Sequence, residues 1–183
     1  MSTAFALYTI GYEGSSISDV VERLKEARIQ IVVDVRELPL SRKPGFSKNS
    51  MSTILRAAGI DYVHVRPLGC PKSIRARYKV DSNWRSYCRD FETHLQKQTP
   101  ATLTLAELSR KRRACLVCFE RDFTRCHRSI VAERIAAFVG GQVVHLIPGK
   151  DGLGVPKRFA AGGIASLRSA TDRETGVSYP LEI

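Results

Sequence analysis

Short apolar runs rich in Val and Ile alternate along this chain with stretches whose apolar residues recur every three or four positions. That alternation leaves few folds open. Apolar runs of strand length followed by segments of helical period are the sequence form of repeated βαβ units. Such units build a parallel sheet whose two faces are covered by the crossover helices. The expectation is an α/β chain: a three-layer, Rossmann-like domain around a mostly parallel sheet of about five strands.

Strands are expected at residues 6–10, 29–35, 62–65, 114–119 and 143–147. Ser16 and Asp19 form a capping-box-like start to a first helix with Ile17, Val20, Val21, Leu24 and Ala27 as its buried stripe. Met51, Ile54, Leu55 and Ala58 mark a second helix, stopped by Gly59. Trp84, Tyr87, Cys88, Phe91 and Leu95 share one face of a third, and further helices are expected over 103–112 and 125–139. Residues 66–83 read as a long basic connection. After Pro148 the composition turns to Gly, Ser and charged residues, so a single domain is expected over 1–148, with 149–183 a tail or an extended arm.

The 183 residues, 43% of them hydrophobic, suffice for one well-buried domain and fall short of two. The net charge of +11 is uneven. Residues 66–89 hold seven Lys or Arg against Asp81 alone, and residues 110–113 read RKRR. Clustered positive charge points to anionic partners, nucleic acid (DNA or RNA) before a membrane surface; the alternative at RKRR is a solvated basic face. Tyr78, between Arg77 and Lys79, has the aromatic-basic interleaving that stacks bases while holding phosphates. Five cysteines, an odd number, follow an N-terminus with no basic region or long apolar stretch. Reduced thiols and a cytoplasmic location are expected. No apolar run approaches the roughly 20 residues that cross a bilayer, so no membrane partner is expected.

Ligands of open parallel sheets bind outside the carboxyl ends of the strands, and the polar exceptions of this sequence fall there. TIGYEG leaves the first strand, VVDVRELPLSR the second, HVRPLG the third and CFERDFTRCHR the fourth. Asp34, inside an apolar strand and two residues before Arg36, points to the same face and needs an arginine partner to be buried. It either pins the following loop or takes part in chemistry. Asp122 or Thr124 is the expected cap of the helix over 125–139, whose first-turn N–H groups then face the crevice. Arg125, His127 and Arg128 there oppose the helix dipole unless an anion is bound. Arg36 and Arg42 complete such a pocket, since arginine holds phosphate in bidentate fashion.

Sharper chemistries divide the same residues. Cys126, at a helix start beside His127, is either an acidified thiol or a small buried hydrophobe. The phosphatase loop, with five residues between cysteine and arginine, is absent. Cys115 and Cys118 on a strand point to opposite faces, unlike a redox C-x-x-C. Cys118, Glu120, Cys126 and His127 could in principle ligate zinc, but no second compact Cys or His pair completes a structural site, so no metal is assigned. Metal assistance through Asp34 and Glu120 is the weaker option. Gly11 and Gly14 lack a dinucleotide or Walker pattern, and no cofactor is assigned.

TIGYEG, DVRELPLSR, the Leu68-Gly69 pair and CFERDFTRCHR resemble the successive signature blocks of the domain of unknown function 488 family. The resemblance covers roughly residues 8–148. Cys70 stands where many members carry a second glycine. The resemblance implies which positions form the site and supplies no reaction. The expected function is a nucleotide- or nucleic-acid-processing enzyme acting on a phosphate-bearing substrate, hydrolysis being the reaction class. The alternatives are a non-catalytic nucleic-acid-binding module and a Cys126-dependent thiol enzyme. The expected catalytic set is Asp34, Glu120, Cys126 and His127. Gly11, Tyr12, Arg36, Ser41, Arg42 and Arg128 are assigned to the phosphate.

Overall fold

The computed structural model describes residues 6–149 and 155–159. β1 (Ala6–Gly11), β2 (Ile31–Asp34), β3 (Asp61–His64), β4 (Ala114–Cys118) and β5 (Gly141–Leu146) are parallel, and β6 (Val155–Phe159) joins β5 antiparallel. The strand order is β3-β2-β4-β1-β5-β6. The five expected parallel strands are present, and β6 adds an edge. Apart from Gly149 and that strand, the tail expected over 149–183 lies outside the described residues.

The helices are α1 (Ile17–Glu26), α2 (Lys48–Ala57), α3 (Lys72–Asp81), α4 (Trp84–Gln96), α5 (Thr99–Lys111) and α6 (His127–Val139). From β1 the chain steps towards β3 through α1 and α2; from β3 it steps back through α3 to α6. Right-handed crossovers running in opposite directions place their helices on opposite faces. Two separate cores follow. Val20, Leu24, Met51 and Leu55 of α1 and α2 pack on Tyr8, Ile10, Val32 and Val117. Phe91, Leu95, Leu105 and Ile135 of α4, α5 and α6 pack on Leu7, Val33 and Leu116. Each such fully buried side chain contributes about 1.5–3 kcal/mol.

The capping box at α1 is complete: the Ser16 hydroxyl accepts from the Asp19 N–H, and the Asp19 carboxylate accepts from the Ser16 N–H. The connection after β3 is more ordered than its composition indicated, with a 3-10 turn at Arg66–Leu68 and then α3, which has no fully buried residue. In RKRR, Arg112 pairs with Asp61 at 2.7 Å and Arg113 donates to the Tyr8 hydroxyl, while Arg110 and Lys111 are exposed. Among the described residues no helix is long and apolar enough to cross a membrane.

Candidate functional site

β4 lies between β1 and β2, and its connection runs to the face opposite theirs, so the reversal opens a crevice at the carboxyl ends of these three strands. Alternation along the strands divides the crevice in two. Asp34 points to the α1/α2 face, with Val32, and Cys118 to the α6 face, with Leu116.

On the first side, Asp34 is fully buried and its carboxylate is filled. It accepts from Arg36 Nε at 2.8 Å, from Arg36 Nη2, from the Arg36 backbone N–H at 3.1 Å and from the Tyr62 hydroxyl at 2.6 Å. The arginine partner expected for Asp34 is therefore Arg36. Burial works against the Arg36 charge, but the Asp34 carboxylate outweighs it and holds the guanidinium protonated. Burial, reinforced by the same carboxylate, raises the Tyr62 phenol. The other arm of Arg36 donates to the Tyr12 hydroxyl and the Phe46 carbonyl, both at 2.8 Å. Tyr12 stacks on Phe46 with ring centroids 4.1 Å apart. Asp34 and Arg36 thus fold the loop before α2 against the end of β1.

On the second side the chain differs from expectation. Asp122 caps only a 3-10 turn, Phe123–Arg125, through the Thr124 N–H. α6 begins at His127, with Cys126 as an N-cap that makes no side-chain cap bond. The basic first turn finds its negative partners in backbone carbonyls. Arg128, 1% exposed, donates to the carbonyls of Glu120 and Arg121. His127 Nε2 donates to the Val35 carbonyl at 2.8 Å. Gly11 makes this arrangement fit: a Cβ there would lie 1.8 Å from the Glu120 carbonyl oxygen. Gly69 does the same for the Arg36-Glu37 loop, 2.3 Å from the Glu37 nitrogen, and Cys70 beside it is simply buried.

Below that turn, Sγ of Cys118 and Sγ of Cys126 lie 2.9 and 3.1 Å from the same Glu120 oxygen, Oε2. His127 Nδ1 faces Cys118 Sγ at 3.7 Å. Burial pushes the Cys118 thiol well up, and burial with Cys126 beside it raises the Glu120 carboxyl. Burial opposes charge on Cys126 too, yet the Cys118 S–H, His127 and the Arg128 guanidinium favour its thiolate and bring it down. The four side chains set aside as zinc ligands for lack of a second compact pair are brought together by the β4-α6 connection itself, their ligand atoms within 4.8 Å of one another.

Over both halves opens a cavity of about 590 Å³. Its wall carries Arg36, Arg42, Arg75, Lys79 and Arg125 against two carboxylates, Glu37 and Glu120. Tyr12, Tyr78, Tyr87 and Phe119 supply aromatic surface, with Phe119 46% exposed. The cavity takes in Tyr12, Arg36, Ser41, Arg42, Glu120 and His127 of the expected residues. Asp34, Gly11 and Arg128 lie behind it as supports, and Cys126, 1% exposed, turns towards Glu120. Arg75, Lys79 and Tyr87 were not foreseen as wall residues. The signal was present as Ile74 and Tyr78, four residues apart, which turn α3 so that Arg75 and Lys79 reach the same cavity.

A family model described as a domain of unknown function, DUF488, matches residues 16–135, and the chain belongs to that family. The matched stretch contains DVRELPLSR, Leu68-Gly69 and CFERDFTRCHR, while TIGYEG precedes it. No curated protein and no solved structure matches the chain.

Proposed function

We propose that the strand-end cavity binds a phosphate-bearing substrate, a nucleotide or a nucleic-acid strand, and that the chain is an enzyme that hydrolyses it. The observation that carries this reading is the cavity wall, on which exposed Arg42, Lys79 and Arg125 surround aromatic rings at the switch point of the sheet. Its volume, about 590 Å³, suits a nucleotide-sized group, since small-molecule sites span roughly 300–1,000 Å³. Cations set among aromatic faces hold phosphates while bases stack.

Each side chain has a distinct part. Arg42 and Arg125 hold phosphate oxygens, and Lys79 adds a point charge from α3. Asp34 and Arg128 support the wall from behind, and Arg36, on the wall itself, has its donors committed to Asp34, Tyr12 and Phe46. Glu120 is the carboxyl group at the cavity floor with an environment that raises its proton affinity, which suits a general acid or base. A thiol mechanism draws less support, because Cys126 is 1% exposed and is not among the residues that line the cavity.

Binding of labelled single-stranded DNA and RNA oligonucleotides, followed by fluorescence anisotropy across a salt series, tests the reading. Affinity should fall steeply with salt as neutralised phosphates release counterions. Product analysis after incubation then separates an enzyme from a binding module. No binding at low ionic strength, to oligonucleotides or to mononucleotides, contradicts the proposal.

A further inference from the structure

Sγ of Cys118, Sγ of Cys126, a Glu120 carboxylate oxygen and a His127 ring nitrogen form a cluster in which every ligand atom lies within 4.8 Å of every other. Tetrahedral zinc sites have bonds of about 2.0–2.3 Å, which sets neighbouring ligand atoms roughly 3.3–3.8 Å apart. The Cys118 Sγ to His127 Nδ1 separation of 3.7 Å is already that of two ligands of one ion. The sulfur to Glu120 Oε2 separations, 2.9 and 3.1 Å, need only open slightly.

The surroundings suit an ion as well. His127 commits Nε2–H to the Val35 carbonyl, which leaves the Nδ1 lone pair facing the sulfurs. A ligating imidazole is ordinarily oriented by such a bond from its other nitrogen. Cys118 ends β4 and His127 opens α6, so two rigid elements hold the set, and both cysteines and the histidine are buried. Two thiolates and a carboxylate on a divalent ion leave one negative charge. The buried Arg128 guanidinium, held by the Glu120 and Arg121 carbonyls, lies near enough to Cys126 and to Asp122 to act on both electrostatically.

We propose that Cys118, Glu120, Cys126 and His127 bind one divalent ion of the zinc class. Two sulfurs, one nitrogen and one oxygen select such an ion over magnesium or calcium, which take oxygen ligands. Cys118, Glu120 and His127 also line the strand-end cavity, so the ion lies at its floor with the Glu120 position facing the open space. This goes beyond the phosphate reading and does not depend on it, and with the ion bound Glu120 serves as a ligand in place of the acid or base.

The test uses the full-length protein in reducing buffer, stripped of metal by a chelator and titrated with Co²⁺ and then Zn²⁺, without phosphate or nucleotide. The expected result is a thiolate-to-cobalt charge-transfer band with the visible bands of a four-coordinate ion. They should saturate near about one equivalent and be displaced by Zn²⁺. Cys118→Ser and Cys126→Ser should each remove about half of the charge-transfer band, and Glu120→Gln should keep it while altering the visible bands. A second readout avoids variants that fail to fold: in the wild-type protein, Zn²⁺ should protect Cys118 and Cys126 from alkylation in mild denaturant, as read by mass spectrometry. A folded apoprotein that gives no cobalt bands at millimolar Co²⁺ overturns the proposal. Zinc-dependent protection confined to Cys70, Cys88 or Cys115 also overturns it. Either failure leaves the oligonucleotide-binding test unaffected.

Discussion

Nε2 of His127, in the first turn of α6, donates to the carbonyl of Val35, the residue that follows β2. One hydrogen bond thereby ties the helix of one sheet face to the strand whose loop runs over the other. The Phe91 ring meets the imidazole edge-on with centroids 5.3 Å apart and fixes its orientation from the α4 side. This contact holds the two halves of the crevice in register, while Arg128 beside it braces the β4-α6 connection through the Glu120 and Arg121 carbonyls.

Asp34 should behave as a buried structural anion. Asp34→Ala strands the Arg36 guanidinium and should cost about 3–5 kcal/mol. Tyr62→Phe removes a single donor to the carboxylate and should cost about 1.5–3 kcal/mol. Urea unfolding of the two variants, compared at equal m-values, checks the order.

Gly11→Ala should destabilise by roughly 3 kcal/mol or more, because the new methyl meets the Glu120 carbonyl, a backbone atom that cannot swing aside. Gly59→Ala is the useful contrast. Nothing lies within 4 Å of a Cβ there, so its cost comes from the left-handed backbone at φ +76 and should be smaller, about 1 kcal/mol. Thermal melts of both variants rank them.

Arg128→Ala should lower stability by about 2–4 kcal/mol, since the Glu120 and Arg121 carbonyls lose their donor. Arg128→Lys should recover only part, because one ammonium cannot reproduce the planar fork that spans two carbonyls. The loss should be equal with and without millimolar phosphate. A loss seen only when phosphate is present would make Arg128 a ligand-binding residue instead.

The α1 capping box gives a pH dependence of known sign. The Ser16 hydroxyl and backbone N–H hold the Asp19 carboxyl below the usual carboxylate range. Its folded-state pKa is depressed, so its contribution is present above the unfolded value and is lost as pH falls through the folded one. Asp19→Asn should therefore flatten the acid limb of the stability curve and leave its slope at neutral pH unchanged, as read from melts across a pH series.

How far the sequence led varied with the kind of signal. Strands such as residues 31–34 and 114–118 were legible because burial on both faces demands continuous apolar runs. α4 was legible because Tyr87, Phe91 and Leu95 mark one buried stripe. α3 was not, since it rests on the surface with no fully buried residue and leaves almost no apolar period to read. β6 pairs through its backbone at the sheet edge, where Pro156 is tolerated and no apolar run is required. α6 starts two residues later than the expected 125 because Asp122, a good cap, is spent on a preceding 3-10 turn.

The candidate site was legible as a set of strand-end residues but not as a geometry. Charge pattern marked Arg36, Arg42 and Arg128 alike, and only the fold separates exposed Arg42 from Arg36, whose donors on the cavity wall are spent on Asp34, Tyr12 and Phe46, and from Arg128 behind it. The Cys118, Glu120, Cys126 and His127 cluster was visible as a list of ligand types. Its convergence depends on the turn between β4 and α6, which the motif spacing did not reveal.

The most direct measurement of the central claim is oligonucleotide affinity at one low salt concentration for the wild type, for Arg42→Ala/Arg125→Ala and for Arg110→Ala/Lys111→Ala. The two variants lose the same charge, the first at the cavity and the second at exposed positions at the end of α5, just ahead of the opposite end of β4. The cavity variant should bind at least about tenfold more weakly, a loss of roughly 1.4 kcal/mol, with an unchanged melting temperature, while the α5 variant should stay within about twofold of the wild type. Equal weakening of both variants would mean that the basic surface as a whole attracts the strand, and it would contradict a phosphate site at the strand ends.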